Sequence, residues 1–184
     1  LRMNIEKIGY SSNFTIYDTN DQRTLIKEII KDLGYKDEIS VRDAQNLISS
    51  LKNKSISPGE FLKIDGYYRN KNEYYEIYRL YEKRKFEYNS LDFDDLIEKA
   101  LEIFRKDQQV LEYYQKKFEY VFVDEYQDTN ASQYELIKYF GGYHNNVIVV
   151  GDADQSIYSF RGADISNILN FEKDFNEAKV IKLE

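Results

Sequence analysis

The sequence predicts an α/β protein: a mainly helical region over residues 1–117, then part of a parallel α/β domain over residues 118–184. Three observations predict it. Before residue 118, apolar residues recur at helical spacing between capping signals. After it, short runs rich in Val and aromatics, EYVFVDE and NVIVVGD, alternate with helical stretches. Those runs are apolar on both faces, as strands of a buried parallel sheet are.

The elements follow in order. Thr19-Asn20-Asp21-Gln22 is a capping-box pattern, and Leu25, Ile26, Ile29, Ile30 and Leu33 continue at helical spacing to Gly34, which can close the helix. Ser40-Val41-Arg42-Asp43 opens a second helix with Ala44, Leu47, Ile48 and Leu51 on one face. Ser57-Pro58-Gly59-Glu60 opens a third, with the only proline at the first helical position, where a missing N–H costs nothing. Tyr74, Tyr78 and Tyr81 form a stripe that reads as amphipathic packing rather than a base-stacking platform. Leu96, Ile97, Ala100, Leu101 and Phe104 mark a helix within 91–104. EYVFVDE is the first strand after residue 118, and the helical ASQYELIKYF is stopped by Gly141-Gly142. NVIVVGD is a second strand, 164–175 a helix, and AKVIKLE a third strand candidate. Three strands are few for a free-standing sheet covered on both faces.

Composition narrows the function. A chain of 184 residues makes one medium domain or two small ones, and 42% hydrophobic content suffices for a packed core. No apolar run approaches the ~18 residues of a membrane span, and LRMNIEKIGYSS lacks the apolar core of a secretory signal. There is no cysteine, and His144 is the only histidine, which excludes disulfides and thiolate or His-rich zinc sites. A cytoplasmic setting without membrane partners is expected. The net charge of -7 lies entirely in residues 118–184. An acidic chain is a poor nonspecific nucleic-acid binder, so a nucleic-acid role must rest on local features. The densest basic run, KRK at 83–85, reads as a solvated helix face.

The chemistry concentrates where the strands end. In open parallel sheets, ligands bind beyond the carboxyl ends of the strands. Asp124 and Glu125 stand at one such end and Asp152 at another. Turn-forming Asp is the ordinary reason for an acid there, but two strand ends with the same polar character point to a shared crevice. Hard carboxylate oxygens suit Mg²⁺, which bridges to nucleotide phosphates. In phosphoryl transfer one strand-end Asp holds the metal while another group orients the attacking water. Asp124 is therefore the expected metal residue and Glu125 the expected base. Gln127 and Gln155 are neutral donors able to sense a terminal phosphate. Tyr158 and Phe160 read by spacing as core, or alternatively as a platform for unpaired bases. Arg161 can reach a phosphate or pair with a nearby acid.

DEYQDTN followed by VVGDADQSIYSFRGADISNIL resembles motifs II and III of superfamily 1 DNA helicases of the UvrD/Rep/PcrA type. NFTIYDTNDQ, SLDFDDLI, YYQKKFEYVFVDEYQDTN and FEKDFNEAKVIKLE also resemble successive segments of these enzymes. The resemblance implies ATP and Mg²⁺ as cofactors, and single-stranded DNA and single-strand/duplex junctions as partners. It implies that Asp124 and Glu125 form a Walker B pair for Mg²⁺ and water activation. Gln155 is similar to the glutamine that contacts the γ-phosphate, and Arg161 to an arginine near nucleotide and DNA. Tyr158 and Phe160 resemble aromatics that stack on single-stranded DNA, although the family commonly has Trp where Phe160 stands. Phe93 resembles an aromatic near the DNA path. Residues 1–117 are similar to a helical insertion subdomain (1B), and 118–184 to the second part of a RecA-like P-loop NTPase domain (1A).

None of the eight glycines precedes a lysine, so the chain contains no G-x-x-x-x-G-K-[ST] phosphate loop. It starts with Leu. The expectation is a fragment of an ATP-dependent 3′–5′ DNA helicase, inactive by itself. Two alternatives stand beside it: a non-catalytic DNA- or protein-binding module derived from a helicase, and a metal-dependent nuclease built on Asp124, Glu125 and Asp152.

Overall fold

The computed structural model describes residues 1–66, 68–152, 155, 171–175 and 178–181. The chain divides into two compact units, Leu1–Lys106 and Asp107–Glu184. The division precedes the expected change at 117/118, because the helix Gln108–Lys117 packs on a later helix of the second unit.

The first unit is built on helices that start and stop where their caps dictate. Helix α1, Thr19–Leu33, begins one residue earlier than the expected box. Asp18 is the cap, accepting from the amides of Asn20 and Asp21, while Asp21 accepts from the Asp18 amide. Gly34 closes α1 at φ 79°, a left-handed conformation that glycine adopts without steric cost. Ser40 caps α2, Val41–Asn53, and Ser57 with Glu60 boxes α3, Pro58–Lys63. Helix α4, Lys71–Glu87, buries Ile77, Tyr78 and Tyr81 against Leu25, Ile26, Ile29 and Ile30 of α1, Ala44, Ile48 and Leu51 of α2, and Phe61. The tyrosine stripe is thus core, with the Tyr78 hydroxyl donating to the Ile56 carbonyl.

This unit is mainly helical, as expected, but also carries two strands. Strands β1, Thr15–Tyr17, and β2, Ser90–Asp92, pair in parallel with Ile16 opposite Leu91. The four helices form the crossover between them. Ser90–Asp92 therefore belongs to a ladder, and α5 spans Phe93–Lys106. Three-residue strands are too short to show a period of two, and β1 abuts the α1 cap, so neither gave a legible signal.

In the second unit, α6 (Gln108–Lys117) packs on α7 (Ala131–Gly141). Between them runs β3, Val121–Val123, which pairs in parallel with β4, Val147–Val149. Helix α7 ends at the expected Gly-Gly step. A Cβ on Gly141 would lie 2.4 Å from Val147 Cγ2, so only glycine lets the helix end approach β4. The parallel pairing agrees with expectation, but burial on both faces does not. Phe122 is 71% exposed, and Tyr120, Ile148 and Val150 are exposed too. The ladder thus has one covered and one open face. Of the third strand candidate, residues 178–181 form no strand, with Val180 and Ile181 exposed. Phe171–Asp174 is helical, as expected within 164–175, whereas 164–170 lies outside the described residues.

Candidate functional site

The carboxyl ends of β3 and β4 lie side by side, because the two strands pair in parallel. Beyond the strands the backbones stay paired: Val150 N donates to Val123 O at 2.8 Å, and Tyr126 N to Val150 O at 2.9 Å. The acids leave the ladder at this point. Asp124 is exposed, and its Oδ1 accepts from the Glu125 amide at 2.9 Å. Glu125 turns into the left-handed region (φ 49°, ψ 44°), which costs a residue with a Cβ on the order of 1–3 kcal/mol. That turn starts the 3-10 helix Tyr126–Asp128 and leaves the Glu125 carboxylate exposed. Tyr126 is buried, with its ring edge-on to Phe171 at 5.5 Å.

Gln127 does not take the expected role of a free phosphate-sensing donor. It is 1% exposed. Its Nε2 donates to Glu125 Oε2 at 2.6 Å, and its Oε1 accepts from the Asp152 amide at 2.9 Å. Asp152 Oδ2 in turn accepts from Gln155 Nε2 at 2.8 Å. Glu125, Gln127, Asp152 and Gln155 are thus linked by hydrogen bonds, and Asp124 precedes Glu125 at the end of β3. Tyr158, Phe160 and Arg161 lie outside the described residues. Phe93 belongs to the first unit, where it is 59% exposed at the start of α5.

A second strand-end acid cluster was not anticipated. Asp92 ends β2, and Asp95 lies in the first turn of α5; each accepts from the other's backbone amide. Lys52 from α2 reaches Asp92 at 2.6 Å and Asp95 at 2.5 Å. Lys85 from α4 reaches Asp92 at 2.8 Å, Asp95 at 2.5 Å and Glu82 at 2.9 Å. The Tyr81 hydroxyl donates to Asp92 at 2.9 Å. Burial alone would lower the lysines' affinity for protons. The attraction of Glu82, Asp92 and Asp95 outweighs it and raises both above the ordinary lysine value. For Asp92, burial acts upward, but Lys52 and Lys85 outweigh it and hold the carboxyl far below its usual range.

Carboxylate oxygens of Glu82, Asp92 and Asp95 lie within 4.8 Å of one another, a spacing that suits a metal ion. Two ammonium groups already fill that role, so the cluster is a structural ion network. The KRK run contributes to it. Lys83 is solvated beside Glu87, as expected of the whole run, but Arg84 pairs with Asp32 and Lys85 is 1% exposed. One sequence signal was available: Lys85 falls one helical turn after Tyr81, on the face that carries the core tyrosines.

At the β3–β4 crevice the carboxylates are exposed oxygen donors beside a parallel ladder. That donor set fits a hard cation such as Mg²⁺. Fold and site together define an α/β protein with exposed acids at two paired strand ends. Residues 1–176 match the model of the UvrD/REP helicase N-terminal domain. The chain belongs to that family. It is 47% identical over its whole length to the ATP-dependent DNA helicase PcrA of Bacillus subtilis (strain 168). It is 44% identical to that of Staphylococcus aureus (strain Mu50 / ATCC 700699) and 42% to that of Staphylococcus epidermidis RP62A. The chain spans 25% of the length of each of these relatives.

Proposed function

We propose that the chain is part of an ATP-dependent 3′–5′ DNA helicase that couples Mg-ATP hydrolysis to translocation on single-stranded DNA and duplex unwinding. The observation that carries the reading is the hydrogen-bonded link from Glu125 through Gln127 and Asp152 to Gln155 at two paired strand ends, with Asp124 beside Glu125, in a chain of this family. Residues 1–117 act as a 1B-like subdomain and 118–184 as part of a RecA-like 1A domain. Asp124, with Glu125 beside it, would hold Mg²⁺, which supplies charge neutralisation at the phosphates. Glu125 accepts the proton of the attacking water, its carboxylate kept in place by the Gln127 amide. Gln155 and Arg161 contact the nucleotide. Tyr158, Phe160 and Phe93 contact single-stranded DNA, including its junctions with duplex, in a cytoplasmic enzyme.

The test is DNA-stimulated ATP hydrolysis and strand separation by the full-length protein that carries this chain, on duplexes with 3′ or 5′ single-stranded tails. Hydrolysis that disappears in Glu125→Gln, with unwinding of the 3′-tailed duplex only, supports the reading. Hydrolysis unaffected by Glu125→Gln refutes the assignment of the base. The chain alone contains no phosphate-binding loop and is expected not to hydrolyse ATP. A full-length protein that binds DNA without hydrolysing ATP would favour the non-catalytic binding module instead.

A further inference from the structure

We propose that Gln127 is a positioning residue that makes the ends of β3 and β4 act as one unit. Its single buried amide holds the Glu125 carboxylate through Nε2 and the Asp152 backbone amide through Oε1. The inference rests on reading this crevice as an ATP-hydrolysing site.

The chemistry requires an amide. The carboxylate offers only acceptors and the Asp152 N–H only a donor, so the bridging side chain must donate at one terminus and accept at the other. A carboxylate cannot donate and an ammonium cannot accept. The partners also dictate the orientation: the reversed amide would place oxygen against oxygen and N–H against N–H. Gln127 itself is buried, so loss of either bond leaves part of its amide without a partner, which is costly.

The bridge has a second consequence. Asp152 Oδ2 accepts from Gln155, so one hydrogen-bonded chain runs Glu125–Gln127–Asp152–Gln155. A shift at the Gln155 end is transmitted through Asp152 to the carboxylate that activates water. Glu125 is in the left-handed region, and the Gln127 bond helps hold it there. Gln127 itself touches no reacting atom. Its effect is on where Glu125 points.

The experiment is steady-state ATP hydrolysis, with saturating single-stranded DNA, by the full-length protein carrying Gln127→Met or Gln127→Glu. Met matches the length of Gln but removes both bonds. We expect kcat to fall about 100-fold, as for other small misplacements of a catalytic group, with the KM for ATP within about threefold of wild type. Gln127→Glu keeps the acceptor for Asp152 N and lacks the donor while ionised. Its kcat should fall at least as far as that of Gln127→Met, because an acceptor then faces the acceptor oxygens of Glu125. A Gln127→Met kcat within about twofold of wild type overturns the proposal. So does a KM for ATP that rises as far as kcat falls, which would make Gln127 merely structural. Absence of hydrolysis in the wild-type protein overturns the helicase reading and this inference with it.

Discussion

Two strand ends of this protein begin alike and finish in opposite states. Ser90–Asp92 and Val121–Val123 are three-residue strands, each paired in parallel and each followed at once by clustered acids. At the end of β2, Asp92 and Asp95 are buried, and two lysines from other helices pair with them. After β3 the acids are exposed, and the side-chain partner of Glu125 is a neutral amide. An acid cluster whose cations are built in has no capacity left for a ligand. One whose charge is left open to solvent can receive a metal and a phosphate. The counter-ion, rather than the acids, separates a closed ion network from an exposed acid pair.

The comparison can be broken most severely at Lys85. Lys85→Met leaves Asp92 and Asp95 buried with half of their positive charge gone, and should cost about 3–5 kcal/mol of unfolding free energy by chemical denaturation. A loss below about 1 kcal/mol would place the network in solvent, where ion pairs contribute little.

Acid titration of stability sharpens the contrast next. Asp92 titrates lower in the folded than in the unfolded chain, so its contribution is present above the unfolded value of about 3.9 and lost as pH falls below it. Lys52 and Lys85 titrate higher when folded, so theirs is complete below about 10.4 and lost as pH rises beyond. Asp92→Asn should flatten the acid limb of the stability profile, measured by thermal unfolding between about pH 2 and 5.

Glu125→Gln should do the reverse of Lys85→Met. An exposed carboxylate replaced by its isostere should shift unfolding free energy by no more than about 0.5 kcal/mol while ATP turnover of the full-length protein collapses. A large stability loss would make the β3 end a structural cluster like the β2 end. The smallest effect belongs to Lys83→Ala, two residues from Lys85. Its partner Glu87 lies one turn away at 3.6 Å on an exposed face, and about 0.3–0.5 kcal/mol is the expected loss.

Much of this was legible in the sequence. The caps at Ser40 and Ser57, the glycine stop at Gly34, the β3 and β4 runs and the acids that follow them all depend on neighbours within a few residues. The Asp18 cap shows how local these signals are: the pattern Thr19–Gln22 lies one position after the actual box, Asp18 with Asp21. Family membership was also legible, because motif residues such as DEYQDTN occur in an unbroken run.

What only the tertiary structure decided are the partnerships across long stretches of chain. Lys52 meets Asp92 across 40 residues, and Gln127 meets Asp152 across 25. No periodicity announces either one. A lysine in a helix has the same local pattern whether solvent or a buried carboxylate awaits it, and a glutamine after a strand reads equally as a free donor or a bridge. Local hydrogen bonds and side-chain spacing selected the helices and strands by themselves. Which charges became buried was set when β1 closed on β2 and β3 on β4, since only then was water removed from one acid cluster and left around the other.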